Sequence, residues 1–89
     1  MGAAYELLLH PRAKQELNRV PRDIFLKIDT VLWGLRENPR PFGVKKLEGD
    51  LHRIRVRDWR IIYAIFDQEH RVVVLRVVRR TERTYKGLR

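Results

Sequence analysis

The sequence predicts an α+β fold of the form β-α-α-β-β-β, a largely antiparallel sheet with a helical hairpin packed on one face. Three observations predict it. Apolar residues recur at helical spacing before residue 38, the period changes to two beyond Gly43, and Asn38-Pro39-Arg40-Pro41 separates the two regimes. At 89 residues the chain is expected to form a single domain, residues 1–89, around a small core.

Each element has a local reason. Tyr5 to Leu9 is a short apolar run ending at His10-Pro11, so residues 3–9 read as a strand feeding a helix, since proline suits a first helical turn. Ala13, Leu17 and Val20 then recur at helical spacing until Pro21, which opens a second helix with Asp23 in its first turn. Ile24, Ile28, Val31, Leu32 and Leu35 make one apolar stripe on that second helix. The helix stops at the Asn38–Pro41 segment, because residues before proline avoid helical angles. Leu51–Arg57, Trp59–Phe66 and Val72–Arg79 are rich in valine, isoleucine and aromatics and read as a three-strand meander. Trp59–Phe66 is apolar on both faces, which makes it the central strand.

Composition narrows the function. There is no cysteine and no serine, so disulfides, thiolate zinc ligands and the commonest nucleophiles are absent. His10, His52 and His70 fall in different elements without ligand spacing, and no phosphate-binding glycine loop occurs, so neither a metal nor a small-molecule cofactor is expected. No stretch is long and apolar enough for a membrane span or a signal peptide, so the expectation is a soluble cytoplasmic protein without a membrane partner. The net charge is +9 and lies mainly in the second half: residues 45–89 hold 13 basic and 6 acidic residues, against 7 and 5 in residues 1–44. Fifteen of the 20 basic residues are arginine. Such a field favours a polyanion, and guanidinium forks suit phosphate.

The stretch LHRIRVRDWRIIYAI concentrates this charge. Strand alternation sends Arg53, Arg55 and Arg57 to one side and His52, Ile54 and Val56 to the other, where the helices should cover them. The three guanidiniums would stand about 7 Å apart, near the spacing of phosphates in an extended strand. Arg76, Arg79 and Arg80 could add to that face or its rim. Tyr85, between Arg83 and Lys86, is either a ring covering the core or a base-stacking or proton-donating group. The plainer alternative is a solvated open sheet face, where arginine discourages edge pairing.

That stretch, with PFGVKKLEGD before it and VVRRTERTYKG after it, resembles the RelE/ParE superfamily of toxin-antitoxin modules over nearly the whole chain. The resemblance to RelE-like members implies a ribosome-dependent endoribonuclease acting on mRNA and held inactive by an acidic cognate antitoxin. There the RNA 2′-hydroxyl attacks its neighbouring phosphodiester, so the nucleophile comes from the substrate. Arg60 and Arg80, or Arg79 in place of Arg80, are then assigned to the transition-state phosphate, Arg53 and Arg55 to positioning, and Tyr85 to stacking or proton transfer. Lys45, Lys46, Arg57, Arg76, Arg83 and Lys86 are assigned to RNA binding. The chain departs from several RelE-like enzymes, which have lysine where Arg53 and Arg55 stand, and a guanidinium is a poor base at neutral pH. The proton acceptor stays open between Glu48, His52 and a linker lysine. The same resemblance admits a ParE-like toxin that inhibits DNA gyrase and cuts nothing, or a non-catalytic RNA-binding relative.

Overall fold

The computed structural model describes residues 4–80. The elements run β1 (Glu6–Leu9), α1 (Pro11–Leu17), α2 (Arg22–Glu37), β2 (Lys45–Lys46), β3 (Leu51–Val56), β4 (Trp59–Phe66) and β5 (Arg71–Arg79). They build one five-stranded sheet in the order β1-β5-β4-β3-β2, antiparallel except for the β1–β5 pair. The α+β class, both helices and the meander match expectation, and β4 is central. Four details differ. The first strand begins at Glu6, the glycine-containing linker holds the short edge strand β2, β3 ends at Val56 before Arg57, and β5 begins at Arg71.

Local chemistry sets the boundaries. Pro11 opens α1, and the His10 side chain accepts a hydrogen bond from the Arg12 N–H at 3.1 Å. The last turn of α2 closes with the Asn38 N–H donating to the Gly34 carbonyl at 3.0 Å, after which Pro39 cannot continue the ladder. The Pro39 carbonyl is instead bonded by the buried Tyr63 hydroxyl at 2.7 Å. Burial pushes the Tyr63 phenol up to about 12. Gly49, with φ of 57°, makes the turn between β2 and β3, a left-handed conformation that favours glycine.

Both helices cover the same face of the sheet. Ala13, Leu17, Val20, Ile28, Leu32 and Leu35 pack against Ile54 and Val56 of β3, Ile61, Tyr63 and Ile65 of β4, and Val72, Val74 and Val77 of β5. Each buried valine, leucine or isoleucine among them contributes about 1.5–3 kcal/mol through burial. His52 belongs to this side too, 4 % exposed and stacked on Tyr63 at 5.8 Å between ring centroids.

At the far end of β4 a polar tie joins three parts of the chain. Arg40, just beyond α2, grips Asp67 through two guanidinium bonds of 3.2 and 2.9 Å, and the Tyr5 hydroxyl donates to the same carboxylate at 2.7 Å. These bonds, Arg40's first, hold Asp67 at about 2, below its ordinary 3.8. A depressed carboxylate stabilises the fold fully above its unfolded value and loses that contribution as pH falls towards the folded value. We therefore expect the urea midpoint of the wild type to fall between pH 3.8 and about 2. Asp67→Asn should start lower and lose less over the same interval, and parallel curves for the two proteins would show that the tie adds nothing.

Candidate nucleic-acid interface

Directly opposed residues in an antiparallel ladder share a face. Arg55 pairs with Arg60, Arg53 with Ile62, and Lys45 of β2 with Arg53. Lys45, Arg53, Arg55 and Arg60 therefore gather on the side away from the helices. Lys45 and Arg55 are exposed and Arg53 is half-buried, whereas Arg60 is only 8 % exposed. Its guanidinium donates to the Arg80 carbonyl at 3.4 Å, and the Arg80 N–H donates in turn to the Asp58 carbonyl at 2.6 Å. The end of β5 is thus laced to the β3–β4 turn beside Arg60. Ile62, Ala64 and Val78 form a buried apolar floor on this same face.

Other expected members lie elsewhere. Arg57 is not on the strand face. It occupies the tight link between β3 and β4 with φ of 58°, and borders a hollow of about 210 Å³ on the helix side with Asp23, Ile24, Trp59 and Arg79. Arg79 pairs with Trp59 and lays its guanidinium 5.7 Å from the centre of that ring, so it too turns to the helix side. The cause is a β-bulge. Ile62 pairs with Arg76 but Tyr63 with Val74, which leaves Leu75 as an extra residue and reverses the alternation of everything after it. Without the bulge Arg79 would have shared a face with Arg60; with it, the alternation gives that place to Arg80. Lys46 pairs with His52, on the helix side of the edge strand. Tyr85, Arg83 and Lys86 lie outside the described residues.

Arg76 is tied down from a direction the sequence does not reveal. Glu16 of α1 accepts its Nε and Nη2 at 2.9 and 2.8 Å, and also accepts the Val77 N–H at 2.8 Å. The two side chains are 11 % and 19 % exposed. A single carboxylate thus serves both the guanidinium and the backbone of β5 beyond the end of β1. Among the open candidates for a proton acceptor, His52 faces the core, whereas the Lys45 register position and Glu48 lie on the arginine side. No group of carboxylates or histidines able to hold a metal occurs among the described residues, and no described helix is long and apolar enough to cross a membrane.

Such a surface can hold a chain of phosphates on its exposed cations and press one of them against the desolvated Arg60 guanidinium, where charge interactions are less screened. Comparison with known proteins agrees with the architecture. A sequence model described as the ParE toxin of the parDE type II toxin-antitoxin system matches residues 7–84. Toxin RelE of Mycobacterium tuberculosis (strain ATCC 25618 / H37Rv) is 35% identical over 81 residues, covering 86% of this chain and 82% of that protein. The archaeal RelE of a RelE-RelB complex from Pyrococcus horikoshii OT3 superposes with a TM-score of 0.82 at 27% identity, covering 89% of this chain and 98% of that one. The isolated E. coli RelE toxin superposes at 0.77 with 26% identity, over 96% and 95% of the two chains.

The Glu16 contacts carry a testable consequence for this face. Glu16→Ala leaves a mostly buried guanidinium and a β5 N–H without their acceptor, and should lower stability by about 1–3 kcal/mol in urea unfolding. An unchanged midpoint would mean that water replaces the carboxylate at no cost.

Proposed function

The chain belongs to the RelE/ParE superfamily of type II toxin-antitoxin toxins, and from that premise we propose that it is a ribosome-dependent endoribonuclease that cuts mRNA. The observation that carries this reading is the shared face of Lys45, Arg53, Arg55 and Arg60, of which Arg60 is the desolvated member. The RNA 2′-hydroxyl loses its proton and bonds to the adjacent phosphorus, the bond from phosphorus to the 5′ oxygen breaks, and that oxygen is protonated. The products are a 2′,3′-cyclic phosphate and a 5′-hydroxyl. DNA lacks the nucleophile and is not cut.

The residues divide the work by burial. Arg53 and Arg55, more accessible, hold flanking phosphates. Arg60, with Arg80 beside it, meets the negative charge that grows on the scissile phosphate, where a preorganised donor lowers the barrier most. Tyr85 is assigned to stacking or proton transfer on the family resemblance. Arg76, held by Glu16, and Arg57 and Arg79, turned to the helix side, are the least suited of the arginines to phosphate. The proposed partners are the ribosome with its message in the cytoplasm and an acidic antitoxin. Relatives of known structure occur in complexes with RelB. A second reading, gyrase inhibition without cleavage, is favoured by the match to a family described as ParE toxin.

Purified protein added to translating ribosomes should cut message at defined codon positions, leaving ends with a cyclic phosphate. Intact message together with inhibited DNA supercoiling would select the gyrase reading. Arg60→Ala should slow cleavage by about 100- to 1,000-fold while RNA affinity changes far less. Equal loss of both would make Arg60 a docking residue. Arg55→Ala should instead reduce the salt dependence of RNA binding by about 0.7 in the logarithmic slope, and an unchanged slope would remove its phosphate contact.

A further inference from the structure

Next to the arginine row, towards the β2–β3 turn, the helix-free face holds a hollow of about 130 Å³ lined by Leu47, Glu48, Leu51, Ile62, Leu75 and Arg76. Ile62 lies between Arg53 on β3 and Arg76 on β5 in register, so the hollow adjoins the cationic row directly. Leu75 contributes a wall because the bulge makes it the extra residue of β5. Four of the six lining side chains are aliphatic; the others are a single carboxylate and a guanidinium already held by Glu16. Attack by the 2′-hydroxyl and charge stabilisation at phosphorus give the four aliphatic side chains no task.

Building on the reading of this face as an RNA surface, we infer that the hollow is a nucleobase subsite, and that Glu48 selects bases bearing an exocyclic amino group. A strand bound through its phosphates to Arg53 and Arg55 carries its next base within about one residue pair, roughly 7 Å, of the hollow. The flat, apolar faces of that base are desolvated against leucine and isoleucine, as single-stranded RNA recognition commonly requires of an unstacked base. A carboxylate only accepts hydrogen bonds. It pairs with the amino group of cytosine, whereas uracil presents an oxygen at the same position. Arg76 is immobilised before the base arrives, so less side-chain freedom is lost on binding.

Short single-stranded oligonucleotides with 2′-O-methyl riboses, which cannot be cut, separate this inference from the nuclease reading. Oligocytidylate should bind the full-length protein about tenfold more tightly than oligouridylate at one salt concentration. Glu48→Gln, whose amide can donate as well as accept, should bring the two to about parity. Leu75→Trp, which fills the hollow, should weaken the cytidine strand to the level of the uridine strand. Equal affinities in the wild type, the result if an apolar side chain of this chain or of a partner occupies the hollow, would overturn the inference, as would a preference that survives Glu48→Gln. A protein that shows the preference but cuts no message would contradict the nuclease reading alone.

Discussion

The arrangement depends on the register of β3 against β4. Because side chains alternate, that register decides which residues meet the helices and which meet the outside. Pairing Ile54 with Ile61 and Val56 with Trp59 satisfies the core, and the same ladder then forces Arg55 opposite Arg60. Turning β3 over by one residue would expose Ile54 and Val56, at about 1.5–3 kcal/mol each, and would press Arg53 and Arg55 against the core without partners. The hydrophobic pattern thus holds the cationic face in place, although none of the residues packed against the helices belongs to it.

The two edges of this unit are governed differently. At one, the short strand β2 adds Lys45 beside Arg53. At the other, the Leu75 bulge inverts β5 and exchanges the sides of Arg79 and Arg80. Glu16 secures the segment just beyond the bulge by accepting both the Arg76 guanidinium and the Val77 N–H. Helix α1 therefore does more than cover the core: it fixes the part of β5 that leads to Arg80.

Much of this was legible in the sequence. The stripe of α2, the two apolar faces of Trp59–Phe66 and the alternation at 53 and 55 each follow from periodicity that burial enforces. The errors share a physical origin. Arg57 reads as the next strand residue because the link it forms with Asp58 carries none of the glycine or asparagine that marks a tight hairpin. The bulge at Leu75 has no glycine to signal it, so the choice between Arg79 and Arg80 stays open in the sequence. Arg76 looks like another surface cation because its partner lies 60 residues earlier. The tie of Asp67 to Arg40 and Tyr5 is hidden in the sequence for the same reason, being made wholly of contacts distant along the chain.

The account stands on the claim that one sheet face, and not the sum of 15 arginines, engages RNA. The most direct measurement is NMR of the arginine guanidinium groups during titration with a non-cleavable RNA strand. The account predicts that Arg53, Arg55 and Arg60 resonances shift together while those of Arg57 and Arg79 stay near their free positions. Shifts of Arg57 and Arg79 as large as those of Arg55 would contradict it.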